Sequence, residues 1–115
     1  MQITATKIPE GSYEIRIFAD GAIPGVDPID LVLNLKQVEP KVAEVSMAHG
    51  KMTNEANILM ALKAMELGFK LLRFKALKGH KVTRWAEHTG SDAHFEHYVV
   101  DLDACAAKYF TDKAL

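Results

Sequence analysis

Val42-Ala43-Glu44-Val45-Ser46-Met47 is an alternating apolar run, and His49-Gly50-Lys51-Met52-Thr53-Asn54 breaks it with a polar turn. Behind the turn, Ile58, Leu59, Leu62, Met65 and Leu67 recur at the spacing of a helical stripe. Thr53 or Asn54 can cap that helix and Gly68 can stop it. Leu71 to Lys75 then reads as a further strand. A strand that feeds a helix through a tight polar turn aims backbone N–H groups and the positive end of a helix dipole at one spot, which suits a phosphate. The helix is long enough to act as a crossover, so the strands at Val42–Met47 and Leu71–Lys75 are expected to run parallel.

Upstream, Gln2–Lys7 and Tyr13–Ala19 read as strands around the turn Pro9-Glu10-Gly11-Ser12, with Tyr13, Ile15 and Ile17 on one face. Asp20 to Pro28 has the Gly and Pro content of a loop. Asp27-Pro28 looks like a helix start, which Leu31, Leu35 and Val38 would continue up to Pro40. Downstream, Lys78-Gly79 is a turn, Lys81 to Thr89 a short helix closed by Gly90, His94 to Leu102 a strand, and Ala104 to Leu115 a terminal helix. With no internal repeat and no linker, residues 1–115 are expected to form a single α/β (α+β) domain, a mixed central sheet with helices packed on it.

A chain of 115 residues, 49% hydrophobic and 25% charged, has the composition of an ordinary globular protein. Fourteen basic against fifteen acidic residues remove any argument for nucleic acid or membrane from overall charge. One cysteine, Cys105, excludes an intramolecular disulfide, and no apolar run reaches the length of a membrane span. Met1-Gln2-Ile3-Thr4 lacks a signal-peptide pattern, so the cytoplasm is the expected location.

Lys51-Met52-Thr53-Asn54-Glu55-Ala56 resembles a degenerate form of the pyrophosphate-binding motif of GNAT-type N-acetyltransferases, [QR]-x-x-G-x-[GA]. Lys51 stands for the Gln or Arg, Asn54 for the first Gly, and Ala56 matches the last position. Leu59 follows at the family's leucine, and Arg84 to Gly90 resembles the family's last helix and Gly turn. The resemblance spans residues 42–102 and implies a GNAT-like fold that binds acetyl-CoA or another acyl-CoA. It further implies a thioester site near Met47 and a diphosphate clamp at Lys51, Met52, Thr53, Asn54, Glu55 and Ala56. Asn54 would hold the left-handed angle of the missing Gly. The family's Asn and its thiolate-protonating Tyr fall at Gly79 and Ala86 here, and neither can do that work. A degenerate or truncated member of phage type would read this way.

Glu44, within a strand, is a candidate general base for an amine; its plain alternative is the solvent-facing residue of an alternating strand. His80 is a candidate acid–base group because it lies in a loop near the expected site. No metal site is expected, since His94 and Glu96 share a strand face while His97 points away. Lys70, Arg73, Lys75, Lys78, His80, Lys81 and Arg84, with Phe74 and Trp85 between them, could face a polyanion; an amphipathic edge strand accounts for most of the pattern, so nucleic acid is the lesser reading.

Two functions of different class follow. One is a small acyl-CoA-binding protein that transfers an acyl group to an amine. The alternative is a non-catalytic accessory protein, of phage or mobile-element type, that binds a protein or nucleic acid. A homodimer is expected in either case, paired through an exposed strand at Phe95–Val100 or through the terminal helix.

Overall fold

In the computed structural model, residues 2–8, 11–18, 31–50, 53–79, 82 and 85–110 are described, with only the backbone at 47, 54, 109 and 110. Among these residues seven strands form one sheet: β1 (Gln2–Ile8), β2 (Ser12–Phe18), β3 (Leu31–Glu39), β4 (Val42–Gly50), β5 (Leu71–Leu77), β6 (Glu87–Ser91) and β7 (Phe95–Asp101). Their order is β1-β2-β3-β4-β5-β7-β6. Every neighbouring pair is antiparallel except β4 and β5, which are parallel and joined by helix α1 (Asn54–Glu66). The parallel pair and its crossover helix are as the sequence predicts.

The core lies on one face of the sheet. Ile15 and Ile17 of β2, Leu31, Leu33 and Leu35 of β3, Ala43 of β4, Leu72 of β5 and Val100 of β7 are all at most 1% exposed. Helix α1 packs there through Ala56, Ile58, Met60, Ala61 and Ala64. The buried stripe is therefore rotated from the one expected, since Leu59, Leu62, Met65 and Leu67 are only half-buried. Alanines let the helix backbone sit close to the sheet, whereas leucines on that face would hold it off.

Both helix ends follow local chemistry. Thr53 Oγ1 accepts the Ala56 N–H at 3.1 Å, an N-cap. At the other end Gly68 (φ +97°) donates to the Met65 carbonyl and Phe69 to that of Ala64. This is a Schellman closure, which needs a residue tolerant of the left-handed region. Phe69 then turns inward and meets the Tyr13 ring edge-on.

Two expected helices are strands. Leu31 to Val38 fits a helical spacing at Leu31, Leu35 and Val38, but Leu31, Leu33 and Leu35 alternate with Val32, Asn34 and Lys36, and period two prevails in β3. The proposed start at Asp27-Pro28 lies outside the described residues. Glu87 to Thr89 belongs to β6, an arm of a hairpin with β7. There Asp92 Oδ1 accepts the N–H groups of His94 and Phe95, both at 3.0 Å, and its Oδ2 lies 2.8 Å from His97 Nε2. That turn chemistry outweighs a helix with no apolar stripe. Gly90 sits at a register shift inside β6 instead of ending a helix. After β7 come α2 (Leu102–Cys105), capped by Asp101, and a π-helical turn at Ala106–Phe110; the expected terminal helix thus begins earlier, and residues 111–115 lie outside the described residues.

The strand expected at an edge is interior: β7 lies between β5 and β6. Its N–H and C=O groups face partners on both sides, so it cannot template another chain. β5 is likewise interior, between β4 and β7.

Candidate active site

β4 and β5 pair over only three positions: Val42 with Leu71, Ala43 with Leu72 and Glu44 with Arg73. Beyond them β4 runs on to Gly50 and β5 to Leu77 without pairing with each other, so the two strands part and leave a cleft between them. The closed end is stitched by the Lys41 carbonyl, which accepts the N–H groups of Lys70 (2.7 Å) and Leu71 (3.2 Å).

The cause of the parting is in β4. Against β3 the register steps from Asn34–Ser46 to Val32–His49, so Met47 and Ala48 together oppose Leu33. This is a β-bulge, which bends its strand, increases its twist and leaves backbone groups out of the ladder. It places unladdered backbone at Met47–Ala48, inside the cleft. Three residues after Gly50 comes the Thr53 cap, so the N-terminus of α1 stands at the open mouth.

The two faces of the cleft differ. Glu44 and Arg73 lie on the face opposite the core, and Val45 and Phe74 on the core side. Glu44 is exposed; Lys36 lies across from it on β3 and Arg73 on β5. Glu44 is thus the exposed residue of an alternating strand, at the last paired position of the parallel ladder.

At the helix mouth the first-turn residues differ in what they offer. Ala56 is fully buried and its N–H is taken by Thr53, so it is a packing residue. The N–H groups that the helix itself leaves without partners are those of Asn54 and Glu55. Asn54 is the first helical residue and does not adopt a left-handed angle; among described non-glycine residues only Lys41 does (φ 64°). Thr53 makes the turn into the helix through its cap, which removes the need for a Gly-like residue. The Glu55 side chain is exposed in the first turn, where it complements the helix dipole and would repel a phosphate. Lys51, Met52 and His80 lie outside the described residues, as does the Met47 side chain.

The basic cluster is spread through the fold. Lys70 pairs with Asp103 at 2.9 Å, Arg73 pairs with Glu39, and the Lys75 ammonium lies 4.6 Å from the centre of the Phe95 ring. Trp85 is buried in the core, where its carbonyl accepts the Cys105 thiol at 3.3 Å. Burial, and then the charge of Asp101, push the Cys105 thiol above its ordinary pKa, which suits a packing role. Among the described residues no group of three or more His, Cys, Asp or Glu could hold a metal ion, and no helix is long and apolar enough to cross a membrane.

The sequence reading missed the bulge, the parting strands and the apolar side chains on the core face of the cleft. Neither Gly nor Pro marks the bulge at Met47–Ala48, so local composition carries no signal for it. In sequence Phe74 stands out only as an apolar residue within a basic run, and His88 falls in a stretch that reads as a helix.

No protein-family model matches the sequence, and no curated protein does. Among solved structures the chain is similar to apo FdhC, a nucleotide-linked sugar GNAT, with a TM-score of 0.62 over 85% of this chain at 17% identity. The chain spans 63% of the length of FdhC. A Bacillus subtilis acetyltransferase in complex with CoA matches with a TM-score of 0.49 at 12% identity, over 81% of this chain and 78% of that one. With a mixed sheet that has one parallel pair among the described residues, and in its likeness to FdhC, the protein has a GNAT-like α+β fold.

Proposed function

We propose that this chain binds acyl-coenzyme A, acetyl-CoA or another acyl-CoA, in the β4–β5 cleft and transfers the acyl group to an amine. The observation that carries the reading is the bulge at Met47–Ala48, which opens the sheet directly before the N-terminus of α1. A coenzyme A whose diphosphate meets the Asn54 and Glu55 N–H groups, with Lys51 adding charge, can run its pantetheine arm into the cleft. Its thioester carbonyl then meets the unladdered backbone of the bulge, an oxyanion site. The amine nitrogen attacks the carbonyl carbon, Glu44 takes the amine proton directly or through water, and the C–S bond breaks to release the thiolate. His80 is our candidate to protonate that thiolate.

A second reading has one observation in its favour. Ala86, half-buried at the place of the family's tyrosine, has no proton to give. On this reading a degenerate, phage-type accessory protein retains the fold and binds a protein or nucleic acid. Calorimetric titration of the full chain with coenzyme A and acetyl-CoA separates the two. Micromolar binding supports the enzyme, and no heat at millimolar coenzyme A leaves the accessory reading. The homodimer now rests on the C-terminal helix alone, and sedimentation at a single-chain mass of 12.7 kDa across micromolar concentrations would remove it.

A further inference from the structure

We infer that Phe74 sets the length of acyl chain the cleft admits, an inference that rests on the acyl-coenzyme A reading above. If the β4–β5 ladder continued one step, Val45 would face Phe74; instead the strands separate at that level. Both side chains are half-buried and pack against the hydrophobic core, so they stand on either side of the gap on its core face. Ala43 and Leu72, the last apolar pair, close its floor.

Phe74 is braced from behind. Tyr98, directly opposite on β7, stacks on Phe74 with ring centroids 5.3 Å apart and planes 17° from parallel. On the far side of Tyr98, across β6, the His88 ring meets it edge-on at 5.5 Å. His88 is itself held, with its Nε2 2.5 Å from Glu96 Oε2. Phe74 therefore cannot swing towards β7 to widen the slot. A thioester whose carbonyl reaches Met47–Ala48 has its acyl carbon chain pointing on towards Val45 and Phe74, two residues nearer the closed end. An acetyl methyl stops short of them, and a longer chain meets the ring.

The test is calorimetry of the full chain and its Phe74→Ala variant with coenzyme A, acetyl-, butanoyl- and hexanoyl-CoA. The wild type should bind hexanoyl-CoA more weakly than acetyl-CoA. The variant should reverse that order, gaining about fourfold in affinity per methylene until the enlarged slot is filled, with free coenzyme A bound equally by both. If circular dichroism shows Phe74→Ala to be unfolded, Phe74→Leu makes the same comparison with a smaller reversal. Coenzyme A binding to both proteins with the same chain-length order would overturn this inference alone. Failure of the wild type to bind coenzyme A would overturn the acyl-CoA reading and this inference with it.

Discussion

Replacing Thr53 by Asp should move stability and ligand affinity in opposite directions. The side chain caps α1 by accepting the Ala56 N–H at 3.1 Å, and Asp can make the same contact. Its added charge sits at the positive end of a 13-residue helix, a gain of about 0.3–1 kcal/mol. The melting temperature should therefore rise by about 1–5 °C. The same charge stands beside the N–H groups proposed for the diphosphate. Against a doubly charged group about 6–8 Å away, at an effective dielectric of roughly 40–60, it costs about 1.5–3 kcal/mol, an affinity loss of about 10- to 150-fold. Thr53→Ala is the control: the cap is lost for about 1 kcal/mol, the melting temperature falls, and affinity changes little. Calorimetric melting and titration with coenzyme A at low and high salt read both quantities, and salt should narrow the affinity gap. A Thr53→Asp variant that melts no lower than wild type yet binds coenzyme A equally well would refute the placement of the diphosphate at α1.

Glu44→Gln should lower acyl transfer by about 10²- to 10⁴-fold in a thiol-release assay while leaving the dissociation constant of acetyl-CoA unchanged, and an unaltered rate would remove Glu44 as the base. Asp92 is held at about pKa 2, first by the His94 N–H and then by His97 and the Phe95 N–H. Its contribution is present above its ordinary pKa and is lost as pH falls from about 4 towards 2; Asp92→Asn should remove that part of the acid dependence, which urea melts across this range would show. Leu33→Ala, at a fully buried position opposite the bulge, should cost about 2–5 kcal/mol in urea unfolding, and a cost under 1 kcal/mol would argue against the β3 register.

What the sequence revealed was what local chemistry decides. Thr53, Gly68 and the alternation of Val42 to Met47 act within a few residues of themselves, so the strand–helix–strand unit and its parallel pairing were legible. β3 was not, because Leu31 and Leu35 satisfy both a helical and a strand period, and the burial of Leu33 that decides between them comes from neighbouring strands. β6 reads as a helix from its own residues, because its partner, β7, and the Asp92 turn fix it from outside them. For the candidate site, the strand that carries Glu44 and the start of α1 follow from order along the chain. The cleft between them depends on a one-residue mismatch between β3 and β4, a property of the pair that neither strand carries alone.

The short β4–β5 ladder has a mechanical consequence. β1 to β4 form one antiparallel block and β5, β7 and β6 another, joined within the sheet only by the three paired positions from Val42 to Glu44. Each block is held by neighbours close in sequence, except that β5 and β7 enclose the β6 hairpin arm. Among the neighbouring strands described, this junction carries the fewest paired positions. Amide exchange at Arg73, whose N–H faces β4 as that of Leu71 does, should run faster than at Leu72, whose N–H faces the long ladder with β7.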